Sequence, residues 1–176
     1  MRTYIRSKVP GAVYFFTVNL AERYDNPLLV KHVSNLREAF RKTRRTHPFT
    51  VEAVVILPDH LHCLWRMPEN DFNFSTRWRL IKAHFSRSLP VGEAISASRG
   101  RKGERGIWQR RLWEHTIRDE TDFARHMDYI HYNPVKHGHV MAVGEWPHSS
   151  FHRCVERGLY QPDWAVGEDI RELEFE

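Results

Sequence analysis

The chain switches between two hydrophobic periods. Residues 13–20 form a β-rich run after the Pro10-Gly11 turn signal, and 49–57 form a second run dense in valine and isoleucine. A third run, 60–67, follows the tight Pro58-Asp59 break and is predicted to pair with the second as a hairpin. Between the first two, Val33, Leu36, Ala39 and Phe40 recur at helical spacing among basic residues, which predicts a helix over 29–47 closed by Pro48. Trp78, Ile81, Phe85 and Leu89 predict another, with Ser75 as its cap. Residues 90–106 have few large apolar side chains and include Ser98-Arg-Gly-Arg-Lys-Gly-Glu-Arg-Gly106, the composition of a flexible basic loop. Residues 112–118 read as a fourth strand. Thr121 then caps a helix through Phe123, Met127, Ile130 and His131 that ends near Asn133, where Pro134 stops it. A short helix over 150–157 and an irregular acidic tail complete the pattern.

Strand, helix, strand, strand, helix, strand, helix is the order of an α+β protein: a ferredoxin-like antiparallel sheet with helices packed mainly on one face, plus a C-terminal helical and irregular extension. The 176 residues suit a single domain, with a core over about 10–140 and an extension over 141–176. No run approaches the roughly 20 apolar residues that span a bilayer. The basic N-terminus has no apolar segment behind it, so no signal peptide is expected, and two cysteines do not make a disulfide framework. The expectation is a soluble, cytoplasmic, nucleoid-associated protein.

Charge sharpens this. The net charge is +5, yet 168–176 carry five acids and one base, so subtraction leaves +9 on the residues before them. A basic body points to a polyanion, with nucleic acid first.

Two groups carry candidate chemistry. On a strand, His60 and His62 project from the same face while Leu61 and Cys63 turn to the other, and two neutral imidazoles on one face suit a divalent ion. The flanking apolar runs mark a central strand. On the last long helix, Tyr129 and Asn133 share a face, with Arg125 one turn earlier, Asp128 adjacent and Tyr132 at its edge. A phenol has a pKa near 10, so it attacks at neutral pH only if its proton is removed or the electrophile is strengthened. A metal on a non-bridging oxygen of a scissile phosphate does the latter. Metal pair, tyrosine, carboxamide and basic body together suit a phosphodiester transesterase. Three plainer readings stand beside it: exposed histidines, an aromatic helix that only packs, or a metal-dependent hydrolase that uses water.

Leu57-Pro-Asp-His60-Leu-His62-Cys-Leu-Trp65, Ile107-Trp-Gln109 followed by Leu112-Trp-Glu-His115, and Asp128-Tyr129-Ile-His-Tyr-Asn133-Pro-Val-Lys-His-Gly138 resemble the REP-associated tyrosine transposases. These are HUH endonucleases related to single-tyrosine insertion-sequence transposases. The similarity runs over about 14–164 and includes Trp146-Pro147, Ser149-Ser150-Phe151 and Gly158-Leu159-Tyr160. The resemblance implies Mg²⁺ or Mn²⁺, and cleavage and rejoining of single-stranded DNA beside imperfect hairpins (REP palindromes) with a short tetranucleotide at their foot. It makes His60 and His62 metal ligands, Tyr129 the nucleophile that forms a 5′-phosphotyrosine, and Asn133 the third ligand, where the insertion-sequence relatives tend to have Gln. It implies a monomer with its site in one chain, a homodimer being the alternative. A replication-initiator or relaxase-type HUH nuclease, and a hairpin-binding repressor without catalysis, are the competing roles.

Candidate DNA contacts are Arg41, Arg44 and Arg45 on the first helix, Arg77, Arg79 and Lys82 on the second, and Arg101, Lys102, Arg105, Arg110 and Arg111 beyond it. Trp108 and Trp113 are candidates for stacking on unpaired bases. The acidic tail is expected to compete with DNA for the basic surface.

Overall fold

The computed structural model describes residues 6–165. Its elements are β1 (Val13–Asn19), α1 (Leu28–Lys31), α2 (Val33–Thr46), β2 (Thr50–Ile56), β3 (His60–Arg66), α3 (Phe74–Arg87), α4 (Ala97–Arg101), β4 (Trp113–Thr116), α5 (Glu120–Lys136) and α6 (Phe151–Glu156), with a 3₁₀ turn at Val143–Glu145. The four strands form one antiparallel sheet in the order β2-β3-β1-β4, the order of a ferredoxin-like fold. β1 and β3 are its interior strands and are buried on both faces.

The two sheet faces make two cores. Tyr14, Phe16 and Val18 of β1 join Leu61, Cys63 and Trp65 of β3 under α2 and α3, where Trp65 and Trp78 stack with centroids 4.3 Å apart. Val13 and Phe15 join Ala53, Val55 and Leu64 under α5, which contributes Met127, Tyr129 and Ile130. Helices therefore cover both faces. The two crossover helices obey the expectation of a single helical face, and α5 takes the other because its own apolar stripe has the second sheet face to bury.

Local signals account for most other departures from the expected pattern. The first helical segment breaks at His32 into α1 and α2. Asn73, not Ser75, caps α3 by accepting from the Thr76 amide. Asp119, not Thr121, caps α5 by accepting from the Asp122 amide. Residues 90–106 contain α4, and Arg105 ties this segment down by donating to the carbonyls of Leu89 (2.9 Å) and Pro90 (2.8 Å) and pairing with Glu93. Pro134 lies inside α5. The chain turns only at Gly138, whose positive φ of 71° lets the amides of Gly138 and His139 return to the carbonyls of Val135 and Pro134. Among the described residues no helix is long and apolar enough to cross a membrane. The acidic tail lies outside the described residues.

Candidate active site

β3 and α5 build the site between them. His60 and His62 are both nearly fully buried, and the His62 ring meets Phe15 and Tyr129 on the sheet face that α5 covers. His62 Nδ1 lies 2.9 Å from Thr17 Oγ1 on the facing position of β1. His60 Nδ1 lies 2.7 Å from Asp59 Oδ1, and Asp59 is itself held by Arg23 at 2.6 Å. With Nδ1–H donating in each case, the lone pair lies on Nε2 of each ring, a pattern in which an outer carboxylate or hydroxyl sets the tautomer of an imidazole. Burial, reinforced by His60 and His137, drives the His62 pKa well down, so this imidazole stays neutral. The Asp59 carboxyl is lowered despite burial, through its bonds to His60 and Arg23.

Because α5 continues past Pro134, Tyr129, Asn133 and His137 stand one turn apart along a single face. The Tyr129 ring centroid is 5.2 Å from that of His62, and the His137 centroid is 5.3 Å from that of His60. Lys136 places its ammonium 4.9 Å from the Tyr129 ring centre. Among the described residues, the buried side-chain atoms without a hydrogen-bond partner include His62 Nε2 on β3, Asn133 Oδ1 on α5 and Asn19 Oδ1 on β1, the last on the residue in register with His60. Orphaned acceptors of this kind are costly unless something electropositive joins them. The residues present therefore fit a divalent ion. Sequence alone does not single out Thr17, Asp59, Arg23, Asn19 and His137, since strand register and the true end of α5 place them here.

The expected DNA contacts divide. Arg77 is buried, 2% exposed, paired with Asp71 at 2.8 Å and donating to the carbonyls of His47, Pro48 and Asn73, so it cannot reach a DNA backbone. Arg105 is likewise occupied within the protein. Trp108 is buried edge-on against Phe85 and belongs to the core. Arg44 bonds the Phe49 carbonyl and Arg41 pairs with Glu38. Arg45, Arg101, Lys102 and Arg111 are exposed. Arg79, Lys82 and Arg110 line a cleft of about 630 Å³ with Arg6, Arg87 and Arg99. Trp113 is 41% exposed beside His115, on the same sheet face as His62.

Known proteins share this fold and much of this sequence. The Escherichia coli K12 REP-associated tyrosine transposase is 46% identical over 165 residues, covering 94% of this chain and 92% of that protein. The chain belongs to the REP-associated tyrosine transposases. A Haemophilus influenzae protein assigned provisionally to the same family is 44% identical over 172 residues, 97% of each chain. The structure of a REP-associated tyrosine transposase bound to a REP hairpin superposes with a TM-score of 0.82 at 44% identity, over 97% of this chain and 99% of that one. No protein-family model matches the chain. Membership of a transposase family makes this a DNA-cleaving and DNA-joining protein in general terms, and its motifs lie where β3 and α5 meet.

Proposed function

We propose that this REP-associated tyrosine transposase cleaves and rejoins single-stranded DNA beside REP-type hairpins, by an HUH mechanism with Tyr129 as nucleophile. The observation that carries this is the apposition of the Tyr129 and His62 rings at 5.2 Å, beside buried acceptors with no protein partner. His60, His62 and Asn133 would hold Mg²⁺ or Mn²⁺, which supplies positive charge to polarise a non-bridging oxygen of the scissile phosphate. Thr17 and Asp59 fix the two imidazoles in the tautomer that presents Nε2. The Lys136 ammonium lies over the Tyr129 ring, 4.9 Å from its centroid, and adds a positive charge beside the nucleophile. Tyr129 Oη forms a bond to phosphorus, the 3′ oxygen leaves with a proton, and the 5′ phosphate stays on the tyrosine. The phosphodiester energy is retained, so another 3′ hydroxyl can reverse the step and join a new end. The hairpin as partner rests on the family and on the relative whose structure holds a REP hairpin.

Incubating the protein with a labelled single-stranded hairpin oligonucleotide and Mn²⁺ should give a covalent adduct on a denaturing gel, absent in Tyr129→Phe. Cleavage without an adduct would support water as nucleophile, and binding without cleavage would support a repressor.

A further inference from the structure

We propose that His115, Asp122 and His126 form a second divalent-metal site, suited to zinc, which clamps β4 to the first turns of α5. One ligand atom from each of the three lies within 4.8 Å of the others. Asp122 faces both rings: Oδ2 is 2.8 Å from His115 Nε2, and Oδ1 is 3.1 Å from His126 Nδ1, which also lies 2.8 Å from the Asp122 backbone carbonyl and leaves Nε2 as the ring's other donor atom. The two imidazoles are nearly parallel, 14° apart with centroids at 4.8 Å. Two imidazoles and one carboxylate are a donor set for zinc, with a fourth position left for water. Asp122 and His126 are buried and His115 is a quarter exposed, which gives an ion a way in from solvent.

Charge suits a cation as well. Asp122 Oδ2 accepts from the Arg118 amide at 2.9 Å as well as meeting His115 Nε2 at 2.8 Å. Asp122 brings a carboxylate into a mostly buried space between β4 and α5. Arg118 pairs with Asp122 from the rim, its side chain 77% exposed, and Arg125 acts on His126 from the neighbouring position.

The cluster is separate from the His60–His62 pair. The Phe15 ring stands between them, 4.8 Å from His126 on one side and 5.6 Å from His62 on the other. His126 is one turn ahead of Tyr129 on α5. Metal at the clamp would therefore fix the helix that carries the nucleophile without touching the reacting phosphate. A hydrogen-bonded triad that never takes a metal is the alternative arrangement of the same three side chains.

Cobalt(II) titration of the full chain separates the two. His60→Ala/His62→Ala removes the first site, and that double variant should still bind one equivalent of Co²⁺ with visible d–d absorption, and Zn²⁺ should raise its Tm. Adding His115→Gln or Asp122→Asn should abolish both signals. His115→Gln lies on an edge strand, so it remains readable if Asp122→Asn does not fold. The proposal is overturned if the double variant binds no Co²⁺, or if His115→Gln leaves the binding unchanged. Since the readout is made after the first site has been removed, it is independent of whether Tyr129 cuts DNA.

Discussion

Thr17 and Asp59 each occupy the Nδ1 of one histidine and so decide what its Nε2 can do. Thr17 and His62 are 45 residues apart and meet only because β1 and β3 pair in that register. The histidine pair is legible in the sequence because a period of two on an apolar run needs no partner strand to be recognised. Its supporting residues are not, because cross-strand register is a property of the assembled sheet. His131 illustrates another buried imidazole with a different task. It is fully buried, its Nε2 lies 2.8 Å from Ser150 Oγ, and burial pushes its pKa down to about 3. Between about 3 and the unfolded value near 6.5 the unfolded chain binds the proton and the folded one does not. Stability from this group is therefore complete above the upper value and is lost as pH falls toward the lower one. From pH 7 to pH 5 that loss is about 2 kcal/mol. Urea denaturation at the two pH values should show it, and His131→Gln should remove that share of the pH dependence. An equal pH dependence in the variant would contradict this.

Helix ends are less legible in the sequence than helix interiors. Asn73 and Ser75 are both capping types two residues apart, and only the backbone shows which one meets the Thr76 amide. Pro134 misleads for a clearer reason. Proline forfeits one amide bond, but the carbonyls near the helix end are met by the Gly138 and His139 turn, so the stop signal is the glycine. The added turn brings His137 beside His60. Arg77 belongs to this scale too, since its guanidinium ties the start of α3 to the loop before β2 through Pro48 and Asp71. Arg77→Met should cost about 2 kcal/mol or more in chemical denaturation, since buried carbonyls lose their donor and Asp71 its partner. The folded variant should bind hairpin DNA as the wild type does. Weakened binding with unchanged stability would restore Arg77 to the DNA-contacting set.

Across the whole molecule, the basic charge seen in the composition is not spread evenly. Arg6, Arg79, Lys82, Arg87, Arg99 and Arg110 meet around one cleft, with Glu104 the acid that pairs with Arg110. Lys82 is pushed to about 8 by burial and by Arg6 and Arg99, the situation of a cation that a phosphate would stabilise. Arg79→Gln/Lys82→Gln should weaken hairpin binding and flatten the plot of log affinity against log salt by about 1 for each phosphate no longer neutralised. Single-turnover cleavage at saturating protein should persist, and an unchanged slope would place the DNA elsewhere. Sheet composition and the first helical layer are legible in the succession of periods. The second covered face is visible only in the folded chain, where α5 packs its own stripe against Phe15 and Leu64.

One bond is decisive for the proposed chemistry, that between Tyr129 Oη and a 5′ phosphate. Trapping the reaction of the protein with a hairpin oligonucleotide, digesting both components and locating the modified peptide by tandem mass spectrometry tests it most directly. The expected result is a nucleotide phosphate on Tyr129. A modification on Tyr132, or product DNA with no modified tyrosine at all, would contradict it.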